Sequence, residues 1–181
     1  MVKLKEAFLS AFHDLETNEG SLFKYSDDLK KDINAGGQIQ RKLHEVCLNH
    51  KLANYIEKYV LPLIATENMF VDIEFNRDGG NFKELNYNGD EKKVRPDIII
   101  HNRESGNQKK NFLVVECKKQ VVGNKQNQDK IALDTQRLES FLKDEKYLYR
   151  FGLSVLYKDD GIQADLCWLN HDRNVVYTKL R

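Results

Sequence analysis

The sequence is poor in the residues that cross-link or interrupt a chain. It has three cysteines, two prolines and one tryptophan among 181 residues. Cys47, Cys117 and Cys167 stand far apart, and no CxxC or Cys/His spacing predicts a zinc site. An odd cysteine count without disulfide spacing is typical of a reducing compartment. We therefore expect a cytoplasmic protein whose fold rests on its hydrophobic core.

Long apolar runs and an excess of one charge sign are also absent. No run reaches the ~20 residues of a membrane span, so we expect no membrane partner. The segment MVKLKEAFLSAF at the start carries charges and lacks the apolar centre of a signal peptide. The 28 acidic residues nearly cancel the 29 basic ones. This balance argues against a bulk electrostatic nucleic-acid binder but leaves room for a local basic groove.

What is present is typical of one globular α/β domain. Hydrophobic residues make up 40% and charged residues 31% of the chain, a composition typical of folded proteins. The predicted fold is a central sheet flanked by helices over 38–181, preceded by an N-terminal helical extension over 1–37, all in a single globular domain. Periodicity predicts helices at 3–15, 38–59 and 127–143, a shorter one at 21–33, and strands at 69–76, 94–100, 112–118, 151–157, 163–169 and 175–180.

Two of these predictions bear on packing. In the long helix, Ile39, Leu43, Val46, His50 and Ala53 fall on one stripe, which we expect to face the core. The strands at 94–100 and 112–118 are predicted to pair as a hairpin with a long polar loop. We expect the last strand, 175–180, to lie at a sheet edge.

The candidate chemistry lies on the paired strands. Residues two apart in a strand point to the same face, so Glu116 and Lys118 project together from an otherwise apolar run. Asp97 lies on the preceding strand, where pairing would let Asp97 and Glu116 share one metal ion. Magnesium prefers such hard oxygen ligands. A lysine beside the metal can orient or deprotonate a water, although the base role needs a lowered pKa.

The local pattern needs its context to be informative. An acid followed two residues later by lysine occurs five times in the sequence. Only Glu116-Cys117-Lys118 lies inside an apolar run, and Pro96-Asp97 is the single Pro-Asp pair. The alternative is an ordinary strand pair in which Asp97 caps a turn and Glu116 pairs with a neighbouring lysine. Acids are rarely placed in buried strands without a partner, which favours a functional site.

The order Pro96-Asp97, turn, Glu116-Cys117-Lys118 resembles the PD-(D/E)xK nuclease superfamily. Further segments are similar to a group of uncharacterised bacterial proteins within it. The resemblance covers roughly residues 40–160. The segments that carry it are Glu45 with the following HKLANYI at 50–56, VDIEFNR at 71–77, RPDIIIH at 95–101 and YRFG at 149–152.

This resemblance implies a restriction-endonuclease-like core, a central mixed β-sheet flanked by helices. It also implies a nuclease dependent on Mg²⁺ or Mn²⁺, with DNA as the expected substrate. Asp97, Glu116 and the backbone carbonyl of Cys117 would be metal ligands, and Lys118 the catalytic lysine. Glu45 would be a further ligand or a water-orienting acid; a solvated helix face is the alternative for Glu45.

Other residues are weaker candidates for contacts with nucleic acid. Lys130, Asp134 and Arg137 lie near one face of the helix at 127–143, and a solvated i, i+4 ladder is the favoured explanation. Arg77 could contact a phosphate, although turn polarity explains it equally well. Lys119 could join a basic rim, for which loop solvation is the alternative.

Two functions from different classes follow. The first is a metal-dependent phosphodiesterase; sequence-specific cutting by so small a chain would need a homodimer or another partner. The second is a nuclease-fold module with weak or no catalysis that binds nucleic acid or a protein. Intact Asp97, Glu116 and Lys118 favour the first.

Overall fold

The computed structural model describes residues 1–23, 38–64, 68–78, 81–87, 89–103, 111–121 and 123–181, with the backbone alone for 38–44. These ranges contain three α-helices and ten strands. The helices are α1 (Val2–Asn18), α2 (Gln38–Tyr59) and α3 (Lys125–Lys143). The strands are β1 (Met69–Ile73), β2 (Arg77–Asp78), β3 (Asn81–Phe82), β4 (Glu84–Tyr87), β5 (Asp90–Lys93), β6 (Ile98–Asn102), β7 (Leu113–Lys119), β8 (Phe151–Lys158), β9 (Gly161–Leu169) and β10 (Val175–Lys179).

Six strands form a mixed central sheet in the order β1-β6-β7-β8-β9-β10. Only β7 and β8 run parallel, with Leu113 opposite Phe151, and the other pairs are antiparallel. Parallel neighbours need a crossover connection, and α3 supplies it. Helix α3 begins where the Asn124 side chain accepts a hydrogen bond from the amide of Asn127 at 3.0 Å, a regular N-terminal cap.

Helices cover both faces of this sheet. On one face α1 and α2 share a core with alternate residues of β7, including Leu113, Val115 and Cys117. On the other face α3 packs through Leu138, Phe141 and Leu142, in a second cluster that also contains Ile99 and Val114. A strand buried on both faces reads as a continuous apolar run, so the three charged residues at the end of β7, Glu116, Lys118 and Lys119, are the exceptions in it.

The α/β class, the central mixed sheet and the flanking helices are confirmed. The pairing of β6 with β7 and the edge position of β10 were also predicted correctly. The strand predicted at 94–100 instead begins at Ile98, so Asp97 precedes β6 and does not lie on it. Helix α1 shares its core with the sheet, so the described part of the N-terminal extension is built into the main fold. The restriction-endonuclease-like assignment stays a prediction. The predicted helix at 21–33 lies mostly outside the described residues.

The stripe predicted for α2 was right at Ala53, which is buried, and wrong at Val46 and His50. Val46 is 47% exposed and His50 is exposed, while the side chains of Ile39 and Leu43 lie outside the described residues. The buried face instead consists of Leu48, Asn49, Leu52, Ala53, Ile56 and Val60. Both stripes have helical spacing, but the second holds larger apolar side chains and therefore removes more surface from water.

Two small hairpins were not predicted from the sequence. The pairs β2–β3 and β4–β5 lie between β1 and β6 in the chain, and each forms its own two-stranded sheet. Their strands are two to four residues long, too short to show a period. Within the described ranges, no helix combines the length and the apolar character needed to cross a membrane.

Candidate active site

Asp97 ends the pairing between β6 and β7. The last paired residues are Ile98 and Val115, and Pro96, which lacks an amide proton, prevents the ladder from continuing. The Asp97 carboxylate replaces the missing backbone partner by accepting a hydrogen bond from the amide of Cys117 at 2.7 Å. The Asp97 carbonyl accepts from the amide of Glu74 at 2.9 Å. Asp97 is therefore fixed from both sides.

Glu116 and Lys118 point from β7 towards α3. The side chain of Glu116 is only 2% exposed, and its Oε2 lies 2.5 Å from Nη2 of Arg137. Lys118 Nζ lies 3.7 Å from Oδ2 of Asp134. Asp134 Oδ1 in turn lies 2.7 Å from Nη2 of Arg137. The predicted shared face of Glu116 and Lys118 thus meets a charged pair on the helix.

Glu45 reaches the same place from α2, on the opposite face of the sheet. Its Oε1 accepts from Lys118 Nζ at 3.1 Å, and its Oε2 accepts from the amide of Lys119 at 2.8 Å. The alternative of a solvated helix face does not hold for Glu45. Glu45, Asp97, Glu116, Lys118, Asp134 and Arg137 together are called the charged cluster below.

Burial dominates the electrostatics of the acids. It raises the pKa of Asp97 to about 6, opposed by the Cys117 amide and by Lys118. Burial also raises the pKa of Glu116 well above its ordinary value; Arg137 opposes this, and the Asp97 carboxylate adds to it. The pKa of Asp134 is raised for the same first reason. A site that keeps several carboxylates buried despite the cost of removing their charges from water is a candidate active site.

Lys118 is a stable cation in this arrangement. Burial lowers its pKa, but Glu45 and Asp134 together outweigh burial, so the pKa of Lys118 ends above its ordinary value. A general base must give up its proton near neutral pH. In the metal-free protein Lys118 is therefore suited to orient a water or offset negative charge, and less suited to take a proton.

One residue that the sequence reasoning missed joins the site to the helix. Asn127 accepts a hydrogen bond from the amide of Val121 and donates one to the carbonyl of Lys119, both at 2.9 Å. These bonds tie the end of β7 to the first turn of α3. A polar residue in a first helical turn has many explanations, so this bridge could not be predicted from the sequence.

The candidates for nucleic-acid contacts are not all accessible. Arg77 is exposed and stacks over the Phe82 ring, with its guanidinium carbon 4.8 Å from the ring centre. Lys130 is exposed on α3. Lys119 is buried, with 5% exposure, so it does not belong to an exposed basic rim. Asp134 and Arg137 form an i, i+3 pair, but they point into the charged cluster, so the prediction of a solvated ladder was wrong.

The donor chemistry of the charged cluster fits a hard divalent cation. Four carboxylates supply oxygen ligands, and Asp134 Oδ2 is buried without a hydrogen-bond partner. Within the described ranges, however, no three Asp, Glu, His or Cys side chains are grouped closely enough to hold a metal ion as they stand. Instead Arg137 bridges Glu116 and Asp134, and Lys118 bridges Glu45 and Asp134.

Comparison with known proteins returned no match, whether with family models, with curated proteins or with solved structures. The sequence motif and the contacts of the charged cluster are therefore the observations that bear on function.

Proposed function

We propose that this chain is a metal-dependent nuclease, with DNA as the expected substrate. The observation that supports the proposal is the meeting of Glu45, Asp97, Glu116 and Lys118 at one end of the sheet. These residues come from α2, the turn before β6, and β7. Such a concentration of buried charge costs stability. A chemical role gives a reason for that cost, and the resemblance to PD-(D/E)xK nucleases names the role.

Asp97, Glu116 and Glu45 would hold Mg²⁺ or Mn²⁺. The backbone carbonyl of Cys117 is the remaining proposed ligand. In a strand the amide and the carbonyl of one residue point to the same neighbour, and the Cys117 amide points to Asp97. When bound, the cation would polarise a phosphodiester oxygen and lower the pKa of a water molecule.

Lys118 would act as the positioning cation of the reaction. Its raised pKa keeps the ammonium charged, so it can donate to the attacking water or to a phosphate oxygen. Negative charge develops on the phosphate as the bond to the leaving oxygen breaks, and a fixed ammonium stabilises that charge. Glu45 holds Lys118 in place for this role through the contact at 3.1 Å.

Arg77 and Lys130 are the proposed contacts to the nucleic-acid backbone, because both are exposed. Lys119 could reach a phosphate only after its buried side chain moved. Backbone contacts by themselves bind without sequence preference. Sequence-specific cutting would therefore call for a homodimer or a partner.

A binding module without catalysis is the second candidate function. The observation that favours it is the internal pairing of the acids: Arg137 and Lys118 already form ion pairs with Glu116, Glu45 and Asp134. In that case the protein would bind nucleic acid or a protein through the same surface and leave the phosphodiester bonds intact.

Cleavage assays separate the two functions. Duplex DNA, single-stranded DNA and RNA are incubated with the protein and Mn²⁺ or Mg²⁺, with chelator as the negative condition. We expect cleavage that chelation and Lys118→Ala each abolish. Lys51→Ala is the matched control, since Lys51 is an ion-paired lysine outside the charged cluster, bound to Glu19 at 2.9 Å. Retained binding without cleavage of any substrate would establish the binding module instead.

A further inference from the structure

Arg137 occupies the space beside Glu116 that a metal ligand would need to keep open. One guanidinium nitrogen, Nη2, contacts both Glu116 Oε2 at 2.5 Å and Asp134 Oδ1 at 2.7 Å. Asp134 precedes Arg137 by three residues on α3, so the two side chains are neighbours on one helix face. The pair Asp134–Arg137 thus arrives at Glu116 as a unit.

This contact is buried and yet incomplete. Arginine commonly binds a carboxylate through two parallel hydrogen bonds, but Arg137 gives Glu116 only one. Its Nε is buried without a hydrogen-bond partner, and so is Oδ2 of Asp134, which lies 3.7 Å from Lys118 Nζ. The guanidinium therefore neutralises Glu116 while its own Nε donor stays without a hydrogen-bond partner. A different position of the guanidinium could satisfy more of its donors.

We infer that Arg137 is a built-in counter-ion that holds Glu116 in the metal-free protein and gives way when a divalent cation binds. The inference rests on the proposed nuclease function, because it requires Glu116 to be a metal ligand. A dication and a guanidinium compete for the same oxygen, since both need the ionised carboxylate. Arg137 thereby lowers the affinity of the site for metal and keeps the buried acid neutralised until metal arrives.

Asp134 keeps the displaced guanidinium at the site. Its contact with Arg137 does not involve Glu116, so it survives the exchange. Arg137 would then remain in the charged cluster, where its free donors would be available to stabilise negative charge in the transition state. Arg137 thus opposes metal binding and assists the reaction. The Arg137→Gln variant should therefore bind metal more tightly and cleave more slowly.

Metal affinity measured apart from activity tests the inference. Mn²⁺ binding is followed by the loss of the free-ion electron paramagnetic resonance signal, for the wild type, Arg137→Gln, Arg137→Lys and Lys143→Gln. Lys143→Gln is the matched control, because Lys143 is an exposed cation on the same helix that pairs with Glu139 at 3.3 Å, outside the charged cluster. We expect Arg137→Gln to bind Mn²⁺ about tenfold tighter, within the range usual for coupled sites, and to cleave more slowly at saturating metal. Arg137→Lys and Lys143→Gln should bind as the wild type does.

A second measurement uses only the wild type, in case Arg137→Gln does not fold. The Arg137 Nε–H resonance is followed in the ¹⁵N spectrum during titration with Mg²⁺, and we expect it to shift as the guanidinium leaves Glu116. A wild type that binds Mn²⁺ and cleaves, with an unmoved resonance or no gain in affinity in a folded Arg137→Gln, overturns the inference and leaves the nuclease intact. A wild type that neither binds nor cleaves overturns both.

Discussion

Glu45 on α2 and Lys118 on β7 are 73 residues apart in the chain, and their side chains meet at 3.1 Å. The second oxygen of Glu45 accepts from the Lys119 amide. One carboxylate thus fixes both the ammonium and the backbone at the end of β7. The contact joins a helix on one face of the sheet to a lysine that also meets the helix on the other face.

Removal of the Glu45 carboxylate should destabilise the protein. Glu45→Ala loses both hydrogen bonds, and each bond that involves a charged group contributes about 1.5–3 kcal/mol. We expect the free energy of unfolding in urea to fall by about 3 kcal/mol, the low end of the sum of the two bonds, because both side chains are about a quarter exposed. Glu45→Gln, which keeps an acceptor for the Lys119 amide, should lose less. Glu57→Ala, an exposed position on the same helix, is the control. Equal midpoints for Glu45→Ala and Glu57→Ala would contradict the contact.

Asp97 should make stability depend on pH in the metal-free protein. Its folded pKa of about 6 lies above the ordinary value of 3.8. The contribution of Asp97 is therefore fully present below about pH 4 and is lost as pH rises through 6. Asp97→Asn has no charge to bury. Its free energy of unfolding should exceed that of the wild type at pH 7 by at most about 3 kcal/mol, at about 1.36 kcal/mol per pKa unit.

Urea denaturation with chelator at pH 4, 5, 6 and 7 measures this difference. The advantage of Asp97→Asn should shrink towards pH 4, because both proteins are then uncharged at residue 97. A difference that stays constant from pH 4 to pH 7 would show that the Asp97 carboxylate is not held in a low-dielectric site.

Divalent metal should stabilise the folded protein by mass action. At a metal concentration about 100 times the dissociation constant, the gain is about 2.7 kcal/mol. For a domain of this size that corresponds to a rise in Tm of about 5–10 °C, at roughly 2–4 °C per kcal/mol. Asp97→Asn removes a charged ligand and should show a smaller rise, whereas Lys51→Ala should respond as the wild type does. A melting curve of the wild type that Mn²⁺ and Mg²⁺ leave unchanged would count against the metal site.

Lys83, which lies outside the charged cluster, should give stability a pH dependence of the opposite sign to that of Asp97. Its side chain is 3% exposed, and its Nζ lies 5.4 Å from the Phe75 ring centre and 5.3 Å from that of Tyr147. Burial lowers the pKa of Lys83 to about 8, partly opposed by Asp78. The folded chain therefore releases this proton before the unfolded chain does, and stability should rise between about pH 8 and 10.5.

Lys83→Met tests this expectation, because it leaves no ammonium to bury. We expect the free energy of unfolding of Lys83→Met to exceed that of the wild type by at most about 3 kcal/mol at pH 7. Loss of the attraction between the ammonium and the ring faces should reduce this gain by about 0.5–2 kcal/mol. The gap should close towards pH 10.5. Lys92→Met is the control, since Lys92 is exposed. A gap that does not change with pH would contradict the buried ammonium.

The sequence pattern predicted those helices and strands whose formation depends on residues close together in the chain. The hydrophobic period predicted α2, α3 and the strands of the central sheet, because each of these elements is long enough to show it. It failed in short or strained segments. The strand predicted at 69–76 ends at Ile73, since Glu74 adopts a positive φ of 49°. The hairpins β2–β3 and β4–β5 were missed because their strands are too short to repeat a pattern.

The sequence by itself determined that Glu116 and Lys118 share a face of β7 and that Asp97 lies at the start of the neighbouring apolar run, because alternation and chain order are local properties. Only the tertiary structure decided which residues meet them. Asp134 and Arg137 lie on the same stripe of α3 as Leu138 and Phe141, and the packing of those two apolar side chains against the sheet turns the charges inward. Glu45 reaches Lys118 because α2 packs on the opposite face. Which helix meets the end of a strand depends on burial of the whole core, and no spacing within one helix contains that information.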